Sequence, residues 1–165
     1  LDLVTTAGDH VRDLLAQVIQ AQWRALGIRL RLKTEPPRIL FGETVSHRRF
    51  PGLALFSWFS SPESVPRSTL HATMIPQADN GWSGQNYAGY ANPAIDDLLD
   101  RLEAETDPAR RRSLWATLQR TYAEDLPALP LFFRANAFIL PHGMTGLHPT
   151  GHQDPSSLWV EQWRW

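Results

Sequence analysis

Three histidines, His142, His148 and His152, lie close together near the carboxyl end, and the last two have the His-x-x-x-His spacing that zinc sites sometimes use. A metal site also needs partners that fix its ligands. This stretch is rich in Gly and Pro with Asp154 as its neighbouring carboxylate, so exposed loop histidines are the expectation and no metal or cofactor is assigned. Asp96, Asp97, Asp100, Glu103 and Glu105 would suit general acid–base work, but with Arg101 their helical register describes a solvated face. Nucleophilic catalysis by serine needs a strained elbow. No G-x-S-x-G occurs, and Gly81-Trp82-Ser83-Gly84 is a loop of another kind. No phosphate-cradling glycine loop is present, and the absence of cysteine removes thiolate chemistry and disulfides. These residue types favour binding over bond-breaking, and the chain is not expected to be an enzyme.

The 165 residues make one compact unit, or one lobe of something larger. With 42% hydrophobic and 20% charged residues there is enough apolar surface to close a core. A net charge of −1 supplies no basic field for nucleic acid. Arg110, Arg111 and Arg112 would point in three directions on a helix, with Glu103, Glu105 and Asp107 nearby, which describes a hydrated surface. The longest apolar stretch, from Leu53 to Phe59, is broken by Ser57 and falls far short of the ~20 residues of a membrane span. The first residues, Leu-Asp-Leu-Val, carry neither Met nor a basic leader, which reads as a fragment of a longer chain.

The elements follow from hydrophobic period. Leu1 to Thr6 reads as a short strand that turns at Ala7-Gly8. Val11, Leu14, Leu15, Val18, Ile19 and Leu26 fall at helical spacing between an Asp9 cap and a Gly27 stop. Ile28, Leu30 and Leu32 alternate with basic residues as a strand with one wet face, so strand, helix and strand make a βαβ unit. Pro36-Pro37 end that strand, and a short helix is expected over residues 38–49. Gly52 to Trp58 is nearly all apolar, as a strand covered on both faces requires, and is placed at the sheet centre. Asn92-Pro93 and Asp107-Pro108 each open a helix, and the two helices form a hairpin ending before Pro127. Leu129 to Phe133, Ala137 to Leu140 and the alternation from Leu158 onward read as short strands.

Between these elements, Phe59 to Ala91 holds prolines and glycines with little period. Loops beyond ~12–15 residues inside a domain are unusual and often functional, so this stretch is the first candidate site. Trp58 and Trp82 flank it, and each either contacts a ligand or pins the loop. Seven Trp and thirteen Pro in all suit rigid aromatic surface held on loops, as well as a plain core.

Several stretches resemble bacterial solute-binding proteins of family 5, the oligopeptide, dipeptide and nickel transport type. They are Leu26-Gly27-Ile28 with its alternating strand; Leu53 to Trp58; Gln85-Asn86-Tyr87-Ala88-Gly89-Tyr90-Ala91-Asn92-Pro93 with Asp96; Arg110-Arg111; Tyr122-Ala123-Glu124-Asp125-Leu126-Pro127; and Pro130-Leu131. They occur in the family's order and cover most of the chain. The resemblance implies an α/β lobe, residues 1–165, of a class II periplasmic-binding-protein-like fold, with a central mixed sheet flanked by helices. It would be mainly the C-terminal lobe, and most of the N-terminal lobe would lie outside the sequence.

The implied function is non-catalytic capture of a peptide or peptide-like solute between two lobes in the periplasm, with delivery to an ABC permease in the inner membrane. The resemblance also implies an acidic residue three positions after the strand-ending Trp, where it pairs with the ligand's amino terminus. Ser61 stands there, and a neutral hydroxyl cannot replace the ion pair. Glu63 is a substitute two residues on, and Arg67 a partner for a carboxylate. The ligand-binding residues expected on this basis are Trp58, Ser60, Ser61, Trp82, Ser83, Gln85 and Asn86, with Asn86 equally readable as a loop-structuring amide. Two rival readings are a ligand-sensing domain of the same fold in a transcription regulator, and a hydrolase using the acidic or histidine residues.

Overall fold

Leu3 and Val4 are consecutive residues of strand β1 (Asp2–Thr6) and so face opposite sides of the sheet, yet both are buried. Leu3 packs with Ala16 and Leu30, joined by Ile19, Trp23, Leu32, Leu53 and Leu55. Val4 packs with Leu40 and Val45, joined by Phe50, Ala54, Phe56 and Tyr87. One strand thus divides two apolar layers. The structure is a computed structural model that describes residues 1–59, 61, 64–135, 137–149 and 156–165. It divides into a larger unit, Leu1–Ser57 with Val65–Ala128, and a smaller one, Trp58–Ser64 with Leu129–Trp165.

In the larger unit, β1 lies between β2 (Arg31–Glu35) and β3 (Leu53–Leu55), in the order β2-β1-β3, and both pairings are parallel. The expected α/β architecture is present, but the sheet of the described residues is parallel where a mixed one was expected. The apolar run after Gly52 supplies only the three-residue strand β3, at the sheet edge. Its alternate residues do meet both layers, as the run implied. The centre belongs to β1, whose Asp2, Thr5 and Thr6 are buried polar residues. Thr5 Oγ1 donates to the Leu55 carbonyl at 2.8 Å, while Asp2 meets Arg31 Nε at 2.6 Å and Lys33 Nζ at 2.7 Å.

Helix α1 (His10–Ala25) begins where the Asp9 side chain accepts from the Arg12 amide, and Gly27 at φ 79° turns the chain out of it. The segment expected as a helix over 38–49 is shorter. It consists of α2 (Pro37–Ile39) followed by a π-helical turn, Leu40–Thr44, which with Val45 covers the Val4 side of the sheet. Among its described residues the candidate loop contains one α-helical turn, α3 (Arg67–Leu70), and two 3-10 turns, Ala72–Met74 and Ala78–Asn80. After it, α4 (Pro93–Ala104) and α5 (Pro108–Asp125) form the expected hairpin, capped by Asn92 and Asp107. Ile95, Leu98, Leu99 and Leu102 pack on Leu114 and Leu118. Leu126, at φ 47°, ends α5 in a left-handed turn.

The smaller unit corrects three expectations. Residues 129–133 and 137–140 form no strand among the described residues, and the terminal segment is a kinked 3-10 helix, Ser156–Gln162. An antiparallel bridge between Thr145 and Arg164 is the extended pairing present there. An alternating apolar pattern becomes a strand only against a neighbour that takes its hydrogen bonds and side chains. Phe133 and Ile139 are instead 99% and 98% exposed. Among the described residues no helix is long and apolar enough to cross a membrane.

Hydrogen bonds from Lys33 and then Arg31 hold the Asp2 carboxyl below its ordinary range. A lowered carboxylate contributes stability above the unfolded value of about 3.9, and that contribution is lost as the pH falls through the folded value. Stability against urea, followed from about pH 5 to about pH 2, should therefore fall more steeply in the wild type than in Asp2→Asn. Equal slopes would show that the pairing contributes nothing.

Candidate functional site

The loop expected to carry function is ordered by one amide. Asn86 is fully buried, and its Nδ2 donates to the carbonyls of Leu70 and His71 at 3.1 Å each and of Tyr90 at 2.7 Å. Its Oδ1 accepts from the Tyr90 amide at 3.0 Å. Main-chain bonds reinforce this closure: Gln85 N donates to the Ser68 carbonyl and Asn86 N to the Met74 carbonyl, both at 3.0 Å. Gly84 precedes them at φ 101°, and a Cβ there would stand 2.1 Å from the Met74 oxygen. Two short helical turns, α3 and Ala72–Met74, supply the carbonyls, so residues 67–90 form a closed frame. Asn86 thus spends its side-chain bonds inside the frame, which is the loop-structuring arrangement.

The frame is tied to both neighbouring layers. Asp96 of α4 accepts from the Ala72 amide at 2.9 Å. His71, also buried, takes the Thr73 amide and hydroxyl on Nδ1 at 3.1 and 2.8 Å, with Nε2 3.6 Å from Asp100. The Tyr90 hydroxyl and Asn92 Nδ2 both donate to Asp125, holding that carboxyl below its ordinary range. Burial, with the Asp125 bond, pushes the Tyr90 hydroxyl up to about 12. On the sheet side, Arg48 Nε donates to the Tyr87 carbonyl at 3.3 Å, and the Tyr87 ring meets Phe56 edge-on at 6.1 Å.

Three of the expected residues lie on this frame's surface. Ser83 and Gln85 are exposed, and Trp82 is partly exposed with its ring 4.8 Å from that of His47. Trp82 has φ 60°, a left-handed conformation rare for a bulky residue, held where its backbone N–H donates to the Gln77 carbonyl at 2.9 Å. Trp58 and Ser61 belong to the smaller unit. Trp58 is 50% exposed, and the Ser61 carbonyl accepts from Ser64 at 3.2 Å. Ser60 and the substitute Glu63 lie outside the described residues.

The charged candidates serve the fold. Arg67 is bound to Asp100 and, at 3.2 Å, to Glu103, which directs its guanidinium to α4. Asp97 pairs with Arg101 one turn on at 3.2 Å, and Glu105 accepts from the Asp107 amide at 2.9 Å. Arg111 caps the Leu102 carbonyl at the end of α4. Among the described residues no three His, Asp or Glu side chains gather as metal ligands; His152 and Asp154 lie outside them. Sequence reasoning did not find His47 beneath Trp82. Nor did it find Arg12, which reaches across the strand ends to Thr6 and Ser57. Both partnerships join residues distant in sequence.

No family model matches the chain. The oligopeptide-binding protein OppA of Bacillus subtilis (strain 168) is 21% identical over 143 residues, 84% of this chain and 24% of its own. The oligopeptide-binding protein of Thermus thermophilus, solved with a pentapeptide, is 31% identical with a TM-score of 0.80, over 89% of this chain and 26% of its own. AppA of B. subtilis, solved with a nonapeptide, shares the fold with a TM-score of 0.70 at 18% identity, over 98% of this chain and 31% of its own. The chain has a periplasmic-binding-protein-like fold. In sequence and fold it is similar to the family 5 oligopeptide-binding proteins, and it spans about a quarter to a third of the length of these relatives.

Asn86→Ala leaves buried main-chain groups of Leu70, His71 and Tyr90 without their partner, and should cost at least about 2 kcal/mol in chemical denaturation. Ser83→Ala, on the same loop and exposed, should change stability by no more than about 0.5 kcal/mol. Equal effects of the two would deny Asn86 its role as the organiser of the loop.

Proposed function

We propose that the chain is part of a non-catalytic solute-binding component of an ABC importer. It takes a peptide or peptide-like solute between two lobes in the periplasm and passes it to a permease in the inner membrane. The observation that carries this reading is the likeness to the Thermus protein solved with a pentapeptide, in sequence as well as fold. The geometry agrees with a binding role. A frame closed by buried hydrogen bonds presents hydroxyl, amide and indole groups outward, which suits recognition by hydrogen bonding and stacking. Trp82, Ser83 and Gln85 are the proposed solute contacts on the larger unit, and Trp58, Ser60 and Ser61 those on the smaller. Asn86 acts by holding the loop in shape. Closure requires both lobes, so the 165 residues alone should bind weakly.

With a hydroxyl at Ser61, the solute's amino terminus is not met by a charge at that position. Native mass spectrometry of the full-length protein purified from its host should find a co-purifying mass in the peptide range. In calorimetric titrations, N-acetylation of a bound peptide should change Kd by less than about threefold, and Ser61→Asp should introduce a preference of about tenfold for the free amine. Release of cleaved peptides by the purified protein would overturn the reading in favour of an enzyme.

A further inference from the structure

We propose that His71 positions the solute-facing loop in a proton-dependent way: uncharged it holds the loop in shape, and protonated it lets the loop go. Solute is then gripped near neutral pH and released in mild acid; this rests on the solute-binding reading above and extends it. The imidazole is buried within the frame of residues 67–90. Its Nδ1 receives the Thr73 backbone N–H at 3.1 Å, and because a backbone N–H can only donate, Nδ1 presents a lone pair. The ring proton therefore sits on Nε2, 3.6 Å from Asp100. In this form the side chain caps the Ala72–Met74 turn. The Met74 carbonyl at the end of that turn accepts from Asn86 N and abuts Gly84, and Gly84 stands between the proposed contacts Ser83 and Gln85.

A second proton on the ring must go to Nδ1. It converts the acceptor into a donor, so two N–H groups face each other and the Thr73 amide loses its partner. Two carboxylates stand ready for the cation. Asp96 Oδ1 lies 3.8 Å from Nδ1 and Asp100 Oδ1 3.6 Å from Nε2, both on α4 and one turn apart. Charge-assisted bonds close to about 2.7–2.9 Å, which draws the imidazolium away from the turn and toward α4. Asp96 is also the acceptor of the Ala72 amide, so the same move loosens the turn at its first residue. The other charges at this junction are Arg67 of α3 and Glu103 of α4. Arg67 bonds to Asp100 and Glu103, and its hydrogen bond holds the Asp100 carboxyl below its ordinary range, so Asp100 stays ionised through mild acid. A purely structural His71 would instead cap the turn alike at every pH.

The test uses the full-length protein and pooled N-acetylated pentapeptides without ionisable side chains, a probe that does not itself titrate between about pH 8 and about pH 5. In the wild type Kd should rise at least about fivefold on going to the lower pH. Hydrogen–deuterium exchange of residues 67–90, corrected for the intrinsic pH dependence of exchange, should lose protection over the same range. His71→Asn, whose side-chain oxygen can cap the same turn but takes up no proton, should hold both quantities constant. In Asp100→Asn the loss should move to lower pH, because the protonated ring has one carboxylate fewer. Wild-type protection that does not change with pH, or a loss that persists in His71→Asn, overturns the assignment while the solute-binding reading stands. If His71→Asn does not fold, an unmoved profile in Asp100→Asn overturns it equally. Protection lost without a change in Kd overturns the link to the solute. Failure of the wild type to bind at any pH overturns the peptide reading, and this assignment with it.

Discussion

Burial of β1 on both faces is the constraint on which the larger unit depends. A strand with apolar side chains on both sides has to be covered twice, and each cover is supplied by the segment that follows one of the strands. The helix after β1 closes the first face. The Pro-initiated turn after β2 closes the second, and it delivers the chain to the opposite edge as β3. The three buried polar side chains of β1 make this placement specific. Asp2 faces cations of β2, Thr5 bonds to β3, and Thr6 receives Arg12. A slip of one residue would exchange these partners for apolar groups and bury a carboxylate without a counter-charge.

Much of this was legible in the sequence, for identifiable reasons. Helices α1, α4 and α5 announce themselves through Asp9, Asn92 and Asp107, side chains that cap the first turn at the head of a run with helical period. The first strand was legible over Leu1 to Thr6, but its central place was not, because Asp2, Thr5 and Thr6 look like surface residues until their partners in other elements are known. The apolar run from Gly52 looked central because its residues do face two layers, although they sit at an edge. The alternation from Leu129 to Leu140 names a strand but not a neighbour to pair with it.

The loop between β3 and α4 was recognisable by its prolines and glycines, whereas the division of labour within it was not. Whether Asn86 reaches outward or inward depends on which carbonyls surround it, and those belong to Leu70, His71 and Tyr90. The pairing of Trp82 with His47 likewise needed the fold to bring the rings together. The long-range ties that fix the loop come from Asp96 of α4, Asp125 of α5 and Arg48 in the turn before β3.

Within four consecutive residues of that loop, positions alternate between locked and open. Gly84 cannot accept a side chain against the Met74 carbonyl, and Asn86 closes the frame from inside, while Ser83 and Gln85 face solvent. The backbone trace therefore does not depend on what stands at 83 and 85. Side-chain size and polarity can drift there by single replacements, generation after generation, whereas any innovation at 84 or 86 has to rebuild the turn before it can be tried.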